Sequence, residues 1–206
     1  MKGRCVIISA GDIEKGDIPQ KAEGDLFIAA DGGKRYLEDL GVTPDLFIGD
    51  LDSAESAPCG VETVLLERRK DDTDTLAAIK AGLERGHRDF LLAGALGGKR
   101  FSHSLANIQS LEFLKDRGAD GRIVFGNTEA RCLDAGEKAV FHNKSGYLSL
   151  FSLTETSRVD LRGTAYDGES IVLERGYPLG VSNGFDAEET LVEVLEGRII
   201  LIAEYA

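Results

Sequence analysis

A rhythm constrains this chain more than any single residue does: through its first two-thirds, short apolar runs alternate with amphipathic stretches, with Gly or Asp at the joints. Parallel strands need long crossover connections, and a helix serves as the crossover while covering the sheet, so this alternation predicts a parallel sheet flanked by helices. The candidate strands are Arg4–Ser9, Asp25–Ala30, Pro44–Ile48, Glu62–Leu66, Asp89–Ala93 and Arg122–Phe125. Helices are expected over Lys34–Leu40, Thr73–Gly86 and Ser104–Gly118, the second carrying Leu76, Ala77, Ile79 and Leu83 on one apolar face. Gly86 and Gly118 stand where a helix commonly stops.

After about Asn127 the period changes. Val140–His142, Tyr147–Phe151, Val159–Leu161, Ser170–Leu173, Leu191–Glu196 and Arg198–Ala203 read as short strands between Gly, Asn and Asp turns, and no long helical period survives. Glu196-Gly197 between two alternating runs reads as a tight hairpin. The expectation is an α/β domain over 1–130 and an all-β domain over 131–206, packed without a Pro- or Ser-rich linker.

Composition narrows the function classes. With 206 residues, 42% of them hydrophobic, the chain can bury a real core, and no apolar run approaches the roughly 18 residues of a membrane-spanning helix. A net charge of -12 argues against a sequence-independent grip on nucleic-acid phosphates, which needs clustered Lys and Arg. The apolar run near the amino terminus is too short for a secretory signal and lacks a small-residue cleavage site, so a cytoplasmic location is expected. Cys5, Cys59 and Cys132 are widely spaced and in no metal-binding pattern; they read as reduced and structural.

In an open parallel sheet, ligands bind beyond the carboxyl ends of the strands, and four motifs follow strand candidates directly. Asp31-Gly32-Gly33 offers backbone amides at a helix start, although a strand-to-helix turn needs glycine in any case. In Gly49-Asp50-Leu51-Asp52-Ser53, Asp50 and Asp52 lie two apart on an extended segment, so both carboxylates share one side, and hard oxygen ligands of this kind suit Mg²⁺. Lys70-Asp71-Asp72-Thr73-Asp74 precedes the most regular helix. Capping explains one or two of those residues but not three carboxylates beside a lysine. The fourth, Gly94-Ala95-Leu96-Gly97-Gly98-Lys99-Arg100-Phe101-Ser102-His103, combines flexible glycines with two cations, which suits a polyphosphate cradle. It is not a Walker A loop, because Arg100 stands where Ser or Thr is required, and no GxGxxG occurs.

In this order and spacing, DGG, GDLDS, KDDTD and GALGGKRFSH followed by SLANI resemble the thiamine pyrophosphokinase family, and Gly176–Phe185, GYPLGVSNGF, resembles that family's thiamine-side segment. The resemblance implies a nucleotide-binding α/β domain followed by a β-sandwich, a homodimer, and Mg²⁺-dependent transfer of a pyrophosphoryl group from ATP to the thiamine hydroxyl. It implies that Asp50, Asp52 and Asp74 hold the metal with Asp71 assisting, and that Asp31, Gly32, Gly33, Lys70, Gly97, Gly98, Lys99 and Arg100 meet the nucleotide. Ser182 and Asn183 are implied on the thiamine side. The family usually has a carboxylate where this chain has Ser102, next to His103, so Ser102 is expected near the reacting hydroxyl; read locally, Ser102 is an N-cap. His103 is a candidate for bonding a phosphate or the hydroxyl, or a first-turn surface residue, while His87 and His142 read as surface positions. Two rivals remain open: a thiamine- or nucleotide-binding homologue without turnover, and a haloacid-dehalogenase-like phosphatase suggested by LFIGDLDS, against which Ala54 follows the DxD where Thr or Val belongs.

Overall fold

Cys5–Ile8 (β1), Leu26–Ala30 (β2), Leu46–Gly49 (β3), Glu62–Leu65 (β4), Asp89–Ala93 (β5) and Asp120–Phe125 (β6) pair in parallel in the order β6-β5-β1-β2-β3-β4. The computed structural model describes residues 2–50, 60–67 and 71–206, and the chain divides into two units, Met1–Gly126 and Asn127–Ala206. In the first unit β1 is the centre of the sheet and buried along its whole length, whereas the edge strand β4 is largely exposed. Continuous Val, Ile and Phe runs are what a sheet covered on both faces requires. Phe27, Phe47 and Phe90 are fully buried, and removing each ring from water stabilises the unit by about 2–3 kcal/mol.

Three helices, Lys34–Asp39 (α1), Asp74–Glu84 (α2) and Phe101–Lys115 (α3), connect these strands. Thr73 caps α2 by accepting the Leu76 N–H at 3.1 Å. The start of α3 differs from expectation: Arg100 is its N-cap and Ser102 lies inside the first turn, so the capping role read for Ser102 is incorrect. Phe101 propagates the helix although it is exposed, and no side chain caps that end. His87 is also corrected, being buried with Nδ1 2.9 Å from the Gly3 carbonyl, a partner 84 residues away.

The second unit is two antiparallel sheets. One runs β12-β9-β14-β7, from Thr128–Asp134 (β7), Gly146–Ser152 (β9), Gly180–Gly184 (β12) and Arg198–Tyr205 (β14). The other runs β11-β10-β13-β8, from Lys138–His142 (β8), Thr156–Arg162 (β10), Gly168–Glu174 (β11) and Glu189–Glu196 (β13). Leu148, Leu150 and Leu201 of the first sheet share one apolar core with Phe141, Val159 and Val192 of the second, which makes the unit a sandwich.

Two sequence readings fail in this unit. The Glu196-Gly197 step is no hairpin: β13 pairs with β10 and β8, β14 pairs with β7 and β9, and Gly197 carries the chain from one sheet to the other. Gly197 has φ +78, and a Cβ there would lie 2.5 Å from Thr154 Oγ1, so the corner requires glycine. Strands β7 and β12 were not anticipated. In β7 the charged Glu129 and Arg131 pair with one another and obscure the apolar face, while β12 contains two glycines and a register irregularity between Gly180 and Asn183.

Candidate active site

The carboxyl ends of β1, β2, β3 and β5 bring together most of the described motif residues of the first unit. Parallel register sets Ile8 beside Ala29 and Ala93, and Ala30 beside Ile48, so the loops that leave these strands start side by side. Strand order reverses between β1 and β5, the topological switch point where open α/β sheets bind ligands. Ser9 Oγ lies 2.9 Å from Thr75 Oγ1 in a buried contact that pins the first turn of α2 over the end of β1.

Asp31 begins a tight turn at the end of β2 with φ +48, a conformation that non-glycine residues adopt only at a cost. Its Oδ1 is buried and has no hydrogen-bond partner among the described residues. An ionised oxygen removed from water without a donor is costly, so this carboxylate suits a cation better than it suits a phosphate. Gly49 at the end of β3 packs on the Asp31 backbone, where a Cβ would lie 3.2 Å from the Asp31 Cα, and Asp50 follows directly. Gly33 sits so close to β1 that a Cβ would overlap the Ile8 carbonyl oxygen at 1.9 Å, so close packing accounts for it.

Asp50 is half-buried beside this turn; Asp52 and Lys70, like Cys59, lie outside the described residues. Asp74 occupies the first turn of α2, Asp71 is exposed, and Asp72 pairs with Lys80 instead. No three His, Cys, Asp or Glu side chains gather in metal-binding proximity among the described residues. Mg²⁺ takes one or two protein carboxylates and completes its shell with phosphates and water, so the unpartnered Asp31 oxygen and the adjacent Asp50 fit that ion.

The loop after β5 is bound to the loop after β1. Gly11 N–H donates to the Gly94 carbonyl at 2.7 Å, Asp12 N–H to the Leu96 carbonyl at 2.9 Å, and Gly98 N–H to Asp12 Oδ2 at 2.9 Å. Asn107 of α3 donates to the Ala95 carbonyl at 2.7 Å, and Tyr36 donates its hydroxyl to the Gly11 carbonyl at 2.7 Å. Gly97, Gly98, Lys99, Arg100, Ser102 and His103 are all exposed. Sequence reasoning missed Asp12, Tyr36 and Asn107. Two of them had a signal: Gly11-Asp12 follows the first strand just as the other four motifs follow theirs, and Asn107 lies in the SLANI segment that carries the resemblance.

In the sandwich, the predicted pair Ser182 and Asn183 separates. Ser182 is exposed with φ +57, its N–H held by Ser149 Oγ at 3.1 Å. Asn183 is buried, and its carboxamide is occupied within the unit: Oδ1 accepts the Tyr166 N–H at 2.9 Å, and Nδ2 donates to Thr164 Oγ1 at 3.0 Å and to the Tyr166 carbonyl at 3.3 Å. Asn183, and not Ser182, lines a cavity of about 490 Å³ together with Leu148, Leu150, Leu161, Ile171 and Val181, with Tyr166 largely exposed on its lining. Asp167, also on that lining, accepts from Thr164 N–H, Gly163 N–H and Thr164 Oγ1. The Thr164 N–H chiefly, and then its other donors, outweigh burial and hold its carboxyl below the usual range.

Cys5 and Cys132 are buried; burial pushes the Cys5 thiol up to about 12, against a smaller opposing pull from Arg85, so it is no nucleophile. His142 is exposed, with Nδ1 3.6 Å from Glu189 on the neighbouring strand. No helix among the described residues is long and apolar enough to cross a membrane.

Residues 21–120 match the family described as thiamin pyrophosphokinase, catalytic domain. Solved structures of similar fold include a thiamine pyrophosphokinase from Bacillus subtilis, with TM-score 0.87 and 23% identity over 98% of this chain and 99% of that chain. The thiamin pyrophosphokinase from Geobacillus thermodenitrificans gives 0.81 and 23% over 98% and 97%, and that from Candida albicans 0.76 and 17% over 98% and 90%. No curated protein sequence matches the chain. A parallel α/β unit with acidic and glycine-rich loops at its carboxyl edge, followed by a β-sandwich, defines the class of enzyme fold. The match assigns residues 21–120 to the catalytic domain of the thiamin pyrophosphokinase family of enzymes.

Proposed function

We propose that the protein transfers a pyrophosphoryl group from ATP to the hydroxyl of thiamine, releasing AMP and thiamine diphosphate. The observation that carries this reading is the buried Asp31 oxygen, unpartnered among the described residues, on a turn packed against Gly49 just before Asp50, at the strand ends where the cationic glycine loop also starts. Acid for a cation and cations for phosphates are the two requirements of polyphosphate chemistry. Asp31, Asp50, Asp52 and Asp74, with Asp71 assisting, would hold Mg²⁺, which when bound neutralises charge on the transferred group. Lys70, Lys99 and Arg100 would meet the phosphates. The thiamine oxygen bonds to the β-phosphorus as the bond from that phosphorus to the AMP oxygen breaks, and the hydroxyl proton passes to His103 or to water. Ser102 would orient that hydroxyl. Because such transfers need chiefly positioning and charge neutralisation, a protein nucleophile is unnecessary.

On the acceptor side, the apolar sandwich cavity suits a ring, with Asn183 on its lining holding Tyr166 in place and exposed Ser182 next to it in the chain as a further polar contact. The reading extends, on the family resemblance, to a cytoplasmic homodimer. The test is chromatographic: with ATP, Mg²⁺ and thiamine, AMP and thiamine diphosphate appear in equal amounts. Binding of ATP and thiamine by calorimetry without AMP formation would instead mark a non-catalytic homologue.

A further inference from the structure

We infer that Asp12 is a positioning residue for the glycine loop: its carboxylate, not a nucleotide phosphate, occupies the Gly98 amide, and this sets the loop that presents Lys99 and Arg100. The inference rests on the proposed use of that loop for ATP.

Asp12 follows β1 and the loop Gly94–Gly98 follows β5, the two strands between which the strand order reverses. Three hydrogen bonds close the pair of loops. Two are main-chain, Gly11 N–H to Gly94 O and Asp12 N–H to Leu96 O, and they fix where the Asp12 Cα stands. The third runs in the opposite direction, from Gly98 N–H to Asp12 Oδ2. The carboxylate also rests on Gly97: a Cβ at Gly97 would lie 2.1 Å from Oδ2, and Gly97 and Gly98 have φ +69 and +74. Two successive left-handed residues form a turn that L side chains resist, and an acceptor seated on them is what keeps such a turn in one conformation. Immediately afterwards the chain enters α3 at Arg100, an N-cap whose side chain makes no capping hydrogen bond, so the turn at Gly97–Gly98 determines where Lys99 and Arg100 emerge.

The chemistry also assigns Gly98 a different role from the one the motif suggests. Its amide is not free for a phosphate oxygen, because bringing an anion there means displacing a carboxylate. Asp12 therefore acts through the loop. What matters is its acceptor oxygen, since Gly98 donates to one oxygen only.

Asp12→Ala and Asp12→Asn separate the possibilities. Hydrogen exchange at the Gly98 amide, followed by NMR without any substrate, should accelerate at least tenfold in Asp12→Ala and remain close to the parent in Asp12→Asn, which keeps a carbonyl oxygen. In turnover, Asp12→Ala should raise KM for ATP by about tenfold with KM for thiamine unchanged, and Asp12→Asn should recover most of that loss. Equal losses in the two variants would mean that the charge matters and not the acceptor, and a lower KM for ATP in either would mean that the carboxylate repels phosphate; both overturn the inference. Unchanged Gly98 exchange in Asp12→Ala overturns it as well. If the parent protein makes no AMP, the proposed function fails, and the exchange data alone decide the role of Asp12.

Discussion

The two units meet opposite demands with opposite surfaces. At the strand ends of Met1–Gly126, polar groups are left ready: Asp31 holds a buried oxygen with no donor among the described residues, and Lys99 and Arg100 are exposed. Around the cavity of Asn127–Ala206, the polar groups are already satisfied: buried Asn183 and exposed Asp167 close hydrogen bonds to Thr164, Tyr166 and Gly163, and the remaining lining is largely aliphatic. An unsatisfied buried group is tolerated where a ligand completes it, and a satisfied one keeps the scaffold stiff. The contrast teaches that the α/β unit is built to receive charge and the sandwich to receive shape.

The largest effect should come from Asp50→Asn, which is expected to lower kcat at least 10²-fold while shifting Tm by less than about 2 °C. A collapse of Tm in metal-free buffer would make Asp50 a scaffold residue and erase the contrast. Next is Asn183→Ala, expected to destabilise the sandwich by about 2–3 kcal/mol, because the Tyr166 and Thr164 groups lose their partners in a buried place. Denaturant unfolding checks it, and a neutral result would show that the sandwich does not need these bonds.

Asp31→Asn sharpens the comparison from the other side. Asn tolerates left-handed φ and removes an uncompensated charge, so without Mg²⁺ the variant should be as stable as the parent or about 1 kcal/mol more stable, and the Tm increase on adding Mg²⁺ should shrink. A variant clearly less stable than the parent in metal-free buffer would contradict the unpartnered state of that oxygen. The smallest effect is expected at Ser182→Gly, where relief of φ +57 should leave Tm equal or slightly higher while thiamine affinity falls severalfold, as calorimetry can read.

Acid should act on a clamp in each unit. Burial raises the Asp25 carboxyl, but the Ala22 N–H and the Arg4 side chain and N–H outweigh it, so its folded pKa is depressed, as is that of Asp167. A depressed carboxyl contributes stability above its unfolded value of about 3.9 and loses it as pH falls through the lower folded value. Unfolding followed from pH 5 to pH 2 should therefore flatten in Asp25→Asn and in Asp167→Asn, and an unaltered slope in both would remove these clamps from the account.

What the sequence determined by itself was everything carried by short-range pattern. Alternation between period 2 and period 3.6 revealed the parallel α/β unit and the change to β structure near Asn127, and strand-then-glycine or strand-then-acid joints located Asp31, Asp50 and the Gly94–His103 loop. Each of these needs only neighbours along the chain, and the Thr73 cap of α2 was legible for the same reason. Tertiary structure decided what depends on partners far away in sequence. Gly98 finds Asp12 across 86 residues, and His87 is buried through Gly3 across 84. Asn183 is taken up by Tyr166, 17 residues before it, while Ser182 next to it remains exposed; both have polar side chains, and which of two neighbours on β12 turns inward is set by how that strand pairs with β9. Gly197 looked like a hairpin because two strands flank it, yet pairing is chosen by which strands can share a core, and β13 and β14 bury their Val192 and Leu201 from opposite sheets.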